Sequence, residues 1–245
     1  LLQLEIGVQT TNTDTMWAIN RRVDFNRLAD NVRRIKEGHN IHQHLDLIAG
    51  LPLEDYSSFG KSFDDVYRLK PDQLQLGFLK VLKGSALEDE CKRYGIVYSN
   101  EAPYEVLYTN HLSYDEIIEL KGICDMVEVY YNSGQFAYSM EFLEHYFASP
   151  IKLYASIFNF YVRQGLYTLA HSRMRRYEIL LGFFQEELKD DNEGEHVFKE
   201  ILLFDMCLRE VIRNRPSYVN APIPYAGYKQ ICDKFKLDRK RVHLE

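Results

Sequence analysis

The first third of the chain alternates between strand-like and helix-like patterns of hydrophobic residues. Strand patterns cover residues 2–9, 41–50 and 72–82, and helical patterns cover 25–38, with Asp24 as its N-cap, and 58–70. A strand, a helix and a second strand in succession typically form a parallel pair joined by a right-handed crossover. The alternation therefore predicts a β-α-β-α-β unit built on a parallel sheet.

Each predicted strand has one apolar face and one face of polar or small residues, because successive strand residues point to opposite sides. The polar faces carry Gln9 in the first strand, His42, His44, Asp46 and Ile48 in the second, and Gln73, Gln75 and Gly77 in the third. A doubly wound sheet covered by helices on both sides would be apolar on both faces. The alternation instead predicts part of a barrel, with the polar faces turned toward a lumen that holds a polar ligand.

A carboxylate, Asp46, stands at the centre of the apolar run HLDLIAGLP, residues 44–52. In the predicted barrel this side chain points into the lumen, together with Gln9 and the histidines of the same strand. The tight loop that follows would let a ligand approach the backbone closely at Gly50. The residues alone also allow a structural carboxylate that hydrogen-bonds to a neighbouring loop.

The remainder of the chain reads as helices with clear start signals. Ser113 opens a capping box with Glu116, ahead of an amphipathic run to Tyr131. Ser149 and Pro150 suit the N-cap and first position of the next helix. Further helices are predicted over 168–189 and 193–214, and aromatic residues at helical spacing are predicted to be core, namely Phe158, Tyr161, Phe183 and Phe184.

The predicted fold is an α/β half TIM-like barrel of parallel strands followed by a mostly α-helical domain. The predicted divisions are the half barrel at 1–85, a linker at 86–112, the helical domain at 113–243, and a tag scar at Leu244-Glu245. Because the chain starts within a strand pattern, we expect it to be a domain excised from a longer protein. The first strand would then be an open edge, which we expect to be shielded by self-association or by helices.

Net charge, apolar run length and cysteine spacing limit the classes of partner that the chain is expected to bind. The net charge of −6 argues against a nucleic-acid binder, and the basic residues at 234–241 suit a solvated end. No apolar run approaches the roughly 20 residues of a membrane helix, so no membrane partner is expected. The four cysteines are far apart without metal-ligand spacing, which predicts reduced thiols in a cytoplasmic protein and no metal site.

Three motifs in order resemble one enzyme family. LEIGVQ, then Arg21, then HLDLIAGLPLED and LQLGFLKVLKGS resemble the second half of the catalytic barrel of radical S-adenosylmethionine (SAM) enzymes. The resemblance covers about a third of the chain. It is strongest to oxygen-independent coproporphyrinogen oxidase-like proteins and to the cobalamin-binding Fe–S oxidoreductases. The latter group includes tetrapyrrole enzymes of the Mg-protoporphyrin IX monomethyl ester oxidative cyclase type.

The resemblance implies roles for four residues. Gln9 and Arg21 match residues that contact the methionine and ribose parts of SAM, Asp46 matches the carboxylate that binds the ribose hydroxyls, and Ile48 matches the apolar contact with adenine. It also implies a [4Fe–4S] cluster, a small-molecule substrate and, for the cobalamin-binding group, cobalamin. In such an enzyme the reduced cluster cleaves SAM to a 5′-deoxyadenosyl radical, which abstracts hydrogen from the substrate.

The chain departs from the family in one respect. The C-x3-C-x2-C loop that holds the cluster is absent, and so is the glycine-rich strand that binds the SAM amino and carboxylate groups. Both belong to the first half of the barrel in that family. The resemblance therefore implies that this part of the protein is inactive alone and that the missing half of its own chain is its partner.

Two other interpretations remain. One is an unrelated β/α enzyme that binds a metal through His42, His44 and Asp46, since the spacing H-x-H-x-D places all three on one strand face. The other is a non-catalytic helical interaction module with a small α/β cap.

Overall fold

A computed structural model describes residues 2–209, 216 and 218. The predictions for later residues therefore lie outside the described part of the chain. They are the end of the last helix, the basic stretch at 234–241, the end of the helical domain and the scar at Leu244-Glu245. No helix among the described residues is long and apolar enough to cross a membrane.

The described residues form a parallel sheet followed by helices. The elements are β1 (Leu2–Gln9), α1 (Thr13–Ala18), α2 (Phe25–Glu37), β2 (Ile41–Ala49), α3 (Tyr56–Tyr67), β3 (Gln73–Phe78), α4 (Ala86–Tyr94), β4 (Val97–Tyr98), β5 (Val106–Tyr108), α5 (Tyr114–Val127), a π-helical segment (Glu128–Asn132), α6 (Ala137–Glu144), α7 (Pro150–Arg163), α8 (Arg173–Glu187) and α9 (Asn192–Arg209). The predicted α/β class with a helical part is confirmed. The three strands of the larger sheet do not close into a barrel, so the half TIM-like barrel stays part of the proposal below.

The sheet has the strand order β1-β2-β3, with both pairs parallel. The predicted β-α-β-α-β unit is therefore confirmed. Leu45, Leu47 and Ala49 of β2 are fully buried, while the alternate residues of that strand are partly exposed. Buried residues of α3, including Phe63 and Val66, complete the apolar core. The sheet thus has one covered apolar face and one more open polar face.

The two outer edges of this sheet differ. Beyond β3, the Asn132 side-chain amide donates to the carbonyl of Leu74 at 2.8 Å and its oxygen accepts from the Leu74 N–H at 2.9 Å. The Cys124 thiol donates to the carbonyl of Leu76 at 3.4 Å. Side chains therefore occupy the outer edge of β3. At the opposite end, β1 has no strand beyond it among the described residues.

Helix starts follow the predicted caps. The Asp24 carboxylate accepts from the backbone N–H of Arg27 and begins α2. Ser113 and Glu116 form a reciprocal capping box that begins α5. Helix α8 begins later than the predicted residue 168, because Ser172 caps it by accepting from the backbone N–H of Arg175.

Residues 86–112 contain more regular structure than the predicted linker. They form α4 and a short antiparallel hairpin of β4 and β5. The described residues divide into two compact units, of which the first comprises residues 2–132 and 147–159 and the second comprises 133–146 and 160–209. The predicted boundaries at 85 and 112 stay predictions.

The second unit has an aromatic core. Phe136, Tyr177, Phe183, Phe184 and Phe198 are fully buried, and the rings of Phe184 and Phe198 stack with their centroids 4.8 Å apart. The predicted core positions Phe158, Tyr161, Phe183 and Phe184 are all buried. Large rings at helical spacing are therefore packing residues in the described helices.

Candidate functional site

A cleft of about 1070 Å³ lies on the first unit, at the carboxyl ends of the sheet strands. Gln9 ends β1, Ile48 lies near the end of β2, and Leu79 directly follows β3; all three line the cleft. Crevices beyond the carboxyl ends of parallel strands are where open α/β sheets commonly bind ligands. The cleft is therefore the candidate site.

Three of the four predicted SAM-binding residues meet around Gly7. An ideal Cβ on Gly7 would lie 3.7 Å from Arg21 Nη1, 3.7 Å from Asp46 Oδ1 and 3.7 Å from Gln9 Nε2. Because residue 7 is a glycine, these three polar groups surround the space that a side chain would otherwise occupy. Residues separated by up to 39 positions in sequence are brought together there.

The fourth predicted residue, Ile48, lines the same cleft as Gln9 and Arg21. Its Cγ1 atom would be 3.8 Å from a Cβ on Gly77 of the neighbouring strand. Ile48 thus gives the cleft an apolar wall beside the polar cluster. Asp46 is two residues earlier on the same strand face and reaches the cluster over Gly7 without lining the cleft.

A break in strand pairing sets the position of Gln9. The register between β1 and β2 shifts between Gly7 and Gln9, and Gln9 has a φ of 66°. A positive φ is uncommon for a residue other than glycine, and bulges of this kind re-aim side chains beside functional sites. The strand therefore ends in a conformation that directs Gln9 to the cluster over Gly7.

Helix α1 carries the chain from Gln9 to Arg21. The Asn12 side chain begins this helix by accepting from the backbone N–H groups of Asp14 and Thr15. Arg21 donates its backbone N–H to the Met16 carbonyl at 2.8 Å, and its guanidinium Nη2 donates to the Gly7 carbonyl at 2.9 Å. Both ends of Arg21 are therefore held by hydrogen bonds.

Burial raises the pKa of the half-buried Asp46 carboxyl, while the neighbouring side chains of His44 and Arg21 act in the opposite direction. Glu5, which shares a face of β1 with Gly7 and Gln9, raises the pKa of Asp46 further. A partly buried carboxylate is stabilised when ligand hydroxyls donate hydrogen bonds to it. The site is suited to a ligand with neighbouring hydroxyl groups.

The geometry gives no support to a metal site at His42, His44 and Asp46. The described residues contain no group of three His, Cys, Asp or Glu side chains that could hold a metal ion. Alternate residues of one strand are about 7 Å apart along its axis, so three of them do not converge on one ion.

The prediction that Gly50 lets a ligand approach the backbone is wrong. Gly50 has a φ of 86°, and a Cβ there would lie 2.7 Å from Cγ1 of Val106 in β5. The hairpin strand β5 fills the space that the sequence suggested for a ligand. Gly50 is therefore required for packing and for its backbone conformation.

Sequence patterns did not indicate two other residues, one hydrogen-bonded to Thr10 just after β1 and one in the wall of the cleft. Glu54, in the loop after β2, is buried and accepts hydrogen bonds from the hydroxyls of Thr10, at 2.5 Å, and Ser62, at 3.2 Å. Trp17 of α1 lines the cleft and is 65% exposed. No local sequence signal shows that an acid in a loop will be buried or that an aromatic residue on a short helix will line a cleft.

Comparison with known proteins shows which family and which relative this chain is similar to. A family model described as a protein of unknown function, DUF4080, matches residues 92–243. The uncharacterized protein YtqA of Bacillus subtilis (strain 168) is 29% identical over 128 residues, which make up 52% of this chain and 35% of that relative. The chain thus spans about a third of the length of this curated relative. Since the family model matches more than half of the 245 residues, the chain belongs to the DUF4080 family.

Proposed function

We propose that this chain supplies part of the nucleoside-binding site of a radical SAM oxidoreductase. The observation that carries the proposal is the convergence of Gln9, Arg21 and Asp46 over Gly7, beside a cleft lined by Ile48. The motif resemblance assigned SAM contacts to these same four residues. DUF4080 domains also often occur in the C-terminal part of radical SAM and cobalamin-binding proteins.

In this proposal each side chain has a separate task. The Asp46 carboxylate accepts hydrogen bonds from the two ribose hydroxyls, and the bound hydroxyls offset the cost of its partial burial. Arg21 and Gln9 donate to the ribose and to the methionine part. Ile48 contacts the adenine through dispersion and exclusion of water. The chain therefore binds and orients SAM, and the chemistry of SAM cleavage belongs to the cofactors.

The residues described here do not fit the [4Fe–4S] cluster. Such a cluster is held by cysteine thiolates, typically several close in sequence, and no three-ligand group of His, Cys, Asp or Glu occurs between residues 2 and 209. We therefore derive no step through the cluster. The proposal assigns the cluster and any cobalamin to other parts of the parent protein, and it keeps the predicted cytoplasmic location and an unidentified small-molecule substrate.

The test is direct binding of SAM to the chain, measured by isothermal titration calorimetry. We expect the wild-type chain to bind SAM and Asp46→Asn to bind roughly 10- to 100-fold more weakly, because hydrogen bonds to a charged group contribute about 1.5–3 kcal/mol. The matched control is Asp30→Asn, which makes the same change on the exposed surface of α2. It should leave the affinity unchanged.

Two results would contradict the proposal. The first is wild-type protein that binds neither SAM nor S-adenosylhomocysteine. The second is binding that Asp46→Asn and Asp30→Asn affect equally, since this would place the ligand away from the cluster over Gly7. The helical interaction module stays an alternative prediction, and the first of these results would favour it.

A further inference from the structure

We propose that Trp17 is the residue that stacks on the purine base of the bound nucleoside. This inference rests on the proposed function and names a contact that neither the motif resemblance nor the family match assigns. It predicts that the cleft recognises the base through an aromatic face as well as through Ile48.

The position of Trp17 is the first argument. Its side chain lines the same cleft as Gln9, Arg21 and Ile48, and it is 65% exposed. Large aromatic side chains are usually well buried, because each removes a large apolar area from water. An exposed indole at the wall of a cleft is therefore available to cover a flat ligand.

The anchoring of its helix is the second argument. Thr15, two residues before Trp17 and so on the opposite side of α1, is fully buried, and Met16 is nearly so. Asn12 caps the start of the helix, and the Trp17 carbonyl accepts from the N–H of Asn20 at 3.1 Å where the helix ends. The indole is thus exposed on a well-anchored helix. A preorganised contact loses little conformational entropy when the ligand binds.

Arg22 supplies the third argument. Its guanidinium carbon lies 4.9 Å from the centre of the Trp17 ring, in a cation–π contact. Arg22 does not line the cleft; it lines a separate groove beside α2. One face of the indole is therefore covered from outside the cleft, which holds the ring in place and leaves its other face for a ligand.

The chemistry of the cleft suits a purine. Ile48, Leu51 and Leu79 supply apolar lining, and the polar cluster over Gly7 stands beside them. A nucleoside has the same division, with a flat base attached to a polar sugar. Stacking does not depend strongly on which base is present, so Trp17 would strengthen binding of purine nucleosides in general. Selection of adenine would come from other groups.

The experiment uses the fact that Trp17 is the only tryptophan of the chain. S-adenosylhomocysteine, which is chemically more stable than SAM, is titrated into the full chain while tryptophan emission and binding heat are recorded separately. We expect the emission to change along the same saturation curve as the heat. Methionine, which lacks the base, should leave the emission unchanged.

Two variants measure the contribution of the ring. Trp17→Ala should weaken binding about tenfold, and Trp17→Phe, which keeps an aromatic face, should stay within about threefold of the wild-type affinity. Affinities of both variants come from calorimetry, since the emission is lost. The matched control is Tyr114→Ala, which removes an exposed ring that does not line the cleft, and it should bind like wild type.

The possible failures are distinguishable. If the wild-type chain gives no binding heat, the proposed function fails and this inference with it. If heat is observed and depends on Asp46, but the emission is constant and Trp17→Ala binds normally, only this inference fails. An emission change produced equally by methionine also overturns it, because the ring would then contact something other than the base.

Discussion

Glu54 departs from what its sequence context suggests. It lies in the loop GLPLED beside a second acid, Asp55, yet it is only 1% exposed, and its Oε2 atom is buried without a hydrogen-bond partner. Burial raises the pKa of this carboxyl from 4.5 to about 7, although hydrogen bonds from Thr10 and Ser62 act in the opposite direction. Between about pH 4.5 and 7 the folded protein therefore tends to hold on this carboxyl a proton that the unfolded chain would have released.

This proton makes stability depend on pH. A carboxyl whose pKa is raised by folding stabilises the native state fully below its unfolded pKa, and this contribution is lost as the pH rises through the folded pKa. Between about pH 4.5 and 7 the contribution of Glu54 should therefore fall, by about 3 kcal/mol in total. Glu54→Gln mimics the protonated acid and should remove this part of the pH dependence. Urea unfolding at a series of pH values measures it.

Burial also raises the pKa of other acids, including the half-buried Asp46 and the buried Asp205, so these groups add to the pH dependence in the same direction. The informative quantity is therefore the difference in free energy of unfolding between wild type and Glu54→Gln at each pH. Glu101→Gln makes the same change at an exposed position and should follow the wild-type curve. A Glu54→Gln variant that kept the full wild-type pH dependence would refute this account.

Between elements, the contact of α5 with α7 depends on a missing side chain. A Cβ on Gly122 of α5 would lie 2.1 Å from Cε2 of Phe158 in α7, and Phe158 is itself buried. Gly122→Ala should therefore lower the free energy of unfolding by about 1–3 kcal/mol, which is the usual cost of overpacking a core. Thermal or urea unfolding of the full chain measures this change.

Gly182 offers the opposite case for comparison. It lies within α8, and a Cβ there would meet only Cζ of Phe160, at an ordinary 3.6 Å. Gly182→Ala should stabilise the protein by about 0.5–1 kcal/mol, because alanine loses less backbone freedom in a helix. If both substitutions changed stability in the same direction, the contact with Phe158 would not be the cause.

The elements also indicate why some parts could be predicted from the sequence. Asp24 and Ser113 cap helices through backbone groups three residues away, so their signal is local. Helix α6 has no side-chain cap from its own N-cap residue. Instead, Asp205 of α9 accepts from the backbone N–H and the hydroxyl of Ser139, at 2.8 and 2.6 Å. A cap supplied from 66 residues away leaves no local pattern.

For the molecule as a whole, the sequence predicted the parallel sheet and its two unlike faces, because strand alternation depends only on residue order. The polar face predicted Gln9 and Asp46 to lie near one another, and both lie around Gly7. The sequence could not predict that Val106 would fill the space at Gly50, since that contact joins residues 56 positions apart. Trp17 and Glu54 were missed for the same reason.

The expected self-association of the chain can be tested at β1. Leu2 on this strand is 57% exposed, and a lysine on an edge strand opposes pairing with another strand. Leu2→Lys should weaken concentration-dependent association in sedimentation equilibrium. Leu82→Lys, at a position that is 59% exposed but outside β1, should leave it unchanged. Wild-type protein that stays monomeric at every concentration would contradict self-association and leave shielding of the edge by helices as the remaining expectation.

The hydrogen bonds of Asn132 and Cys124 to β3 have a consequence for any such assembly. Among the described strands of the larger sheet only β1 offers an open edge, so strand pairing between copies cannot continue on both sides of the sheet into a fibre. Two copies could still meet through the same strand, related by a two-fold axis, and each would then have used its single available edge. The side chains of Asn132 and Cys124 would thereby restrict strand-to-strand assembly to a closed pair.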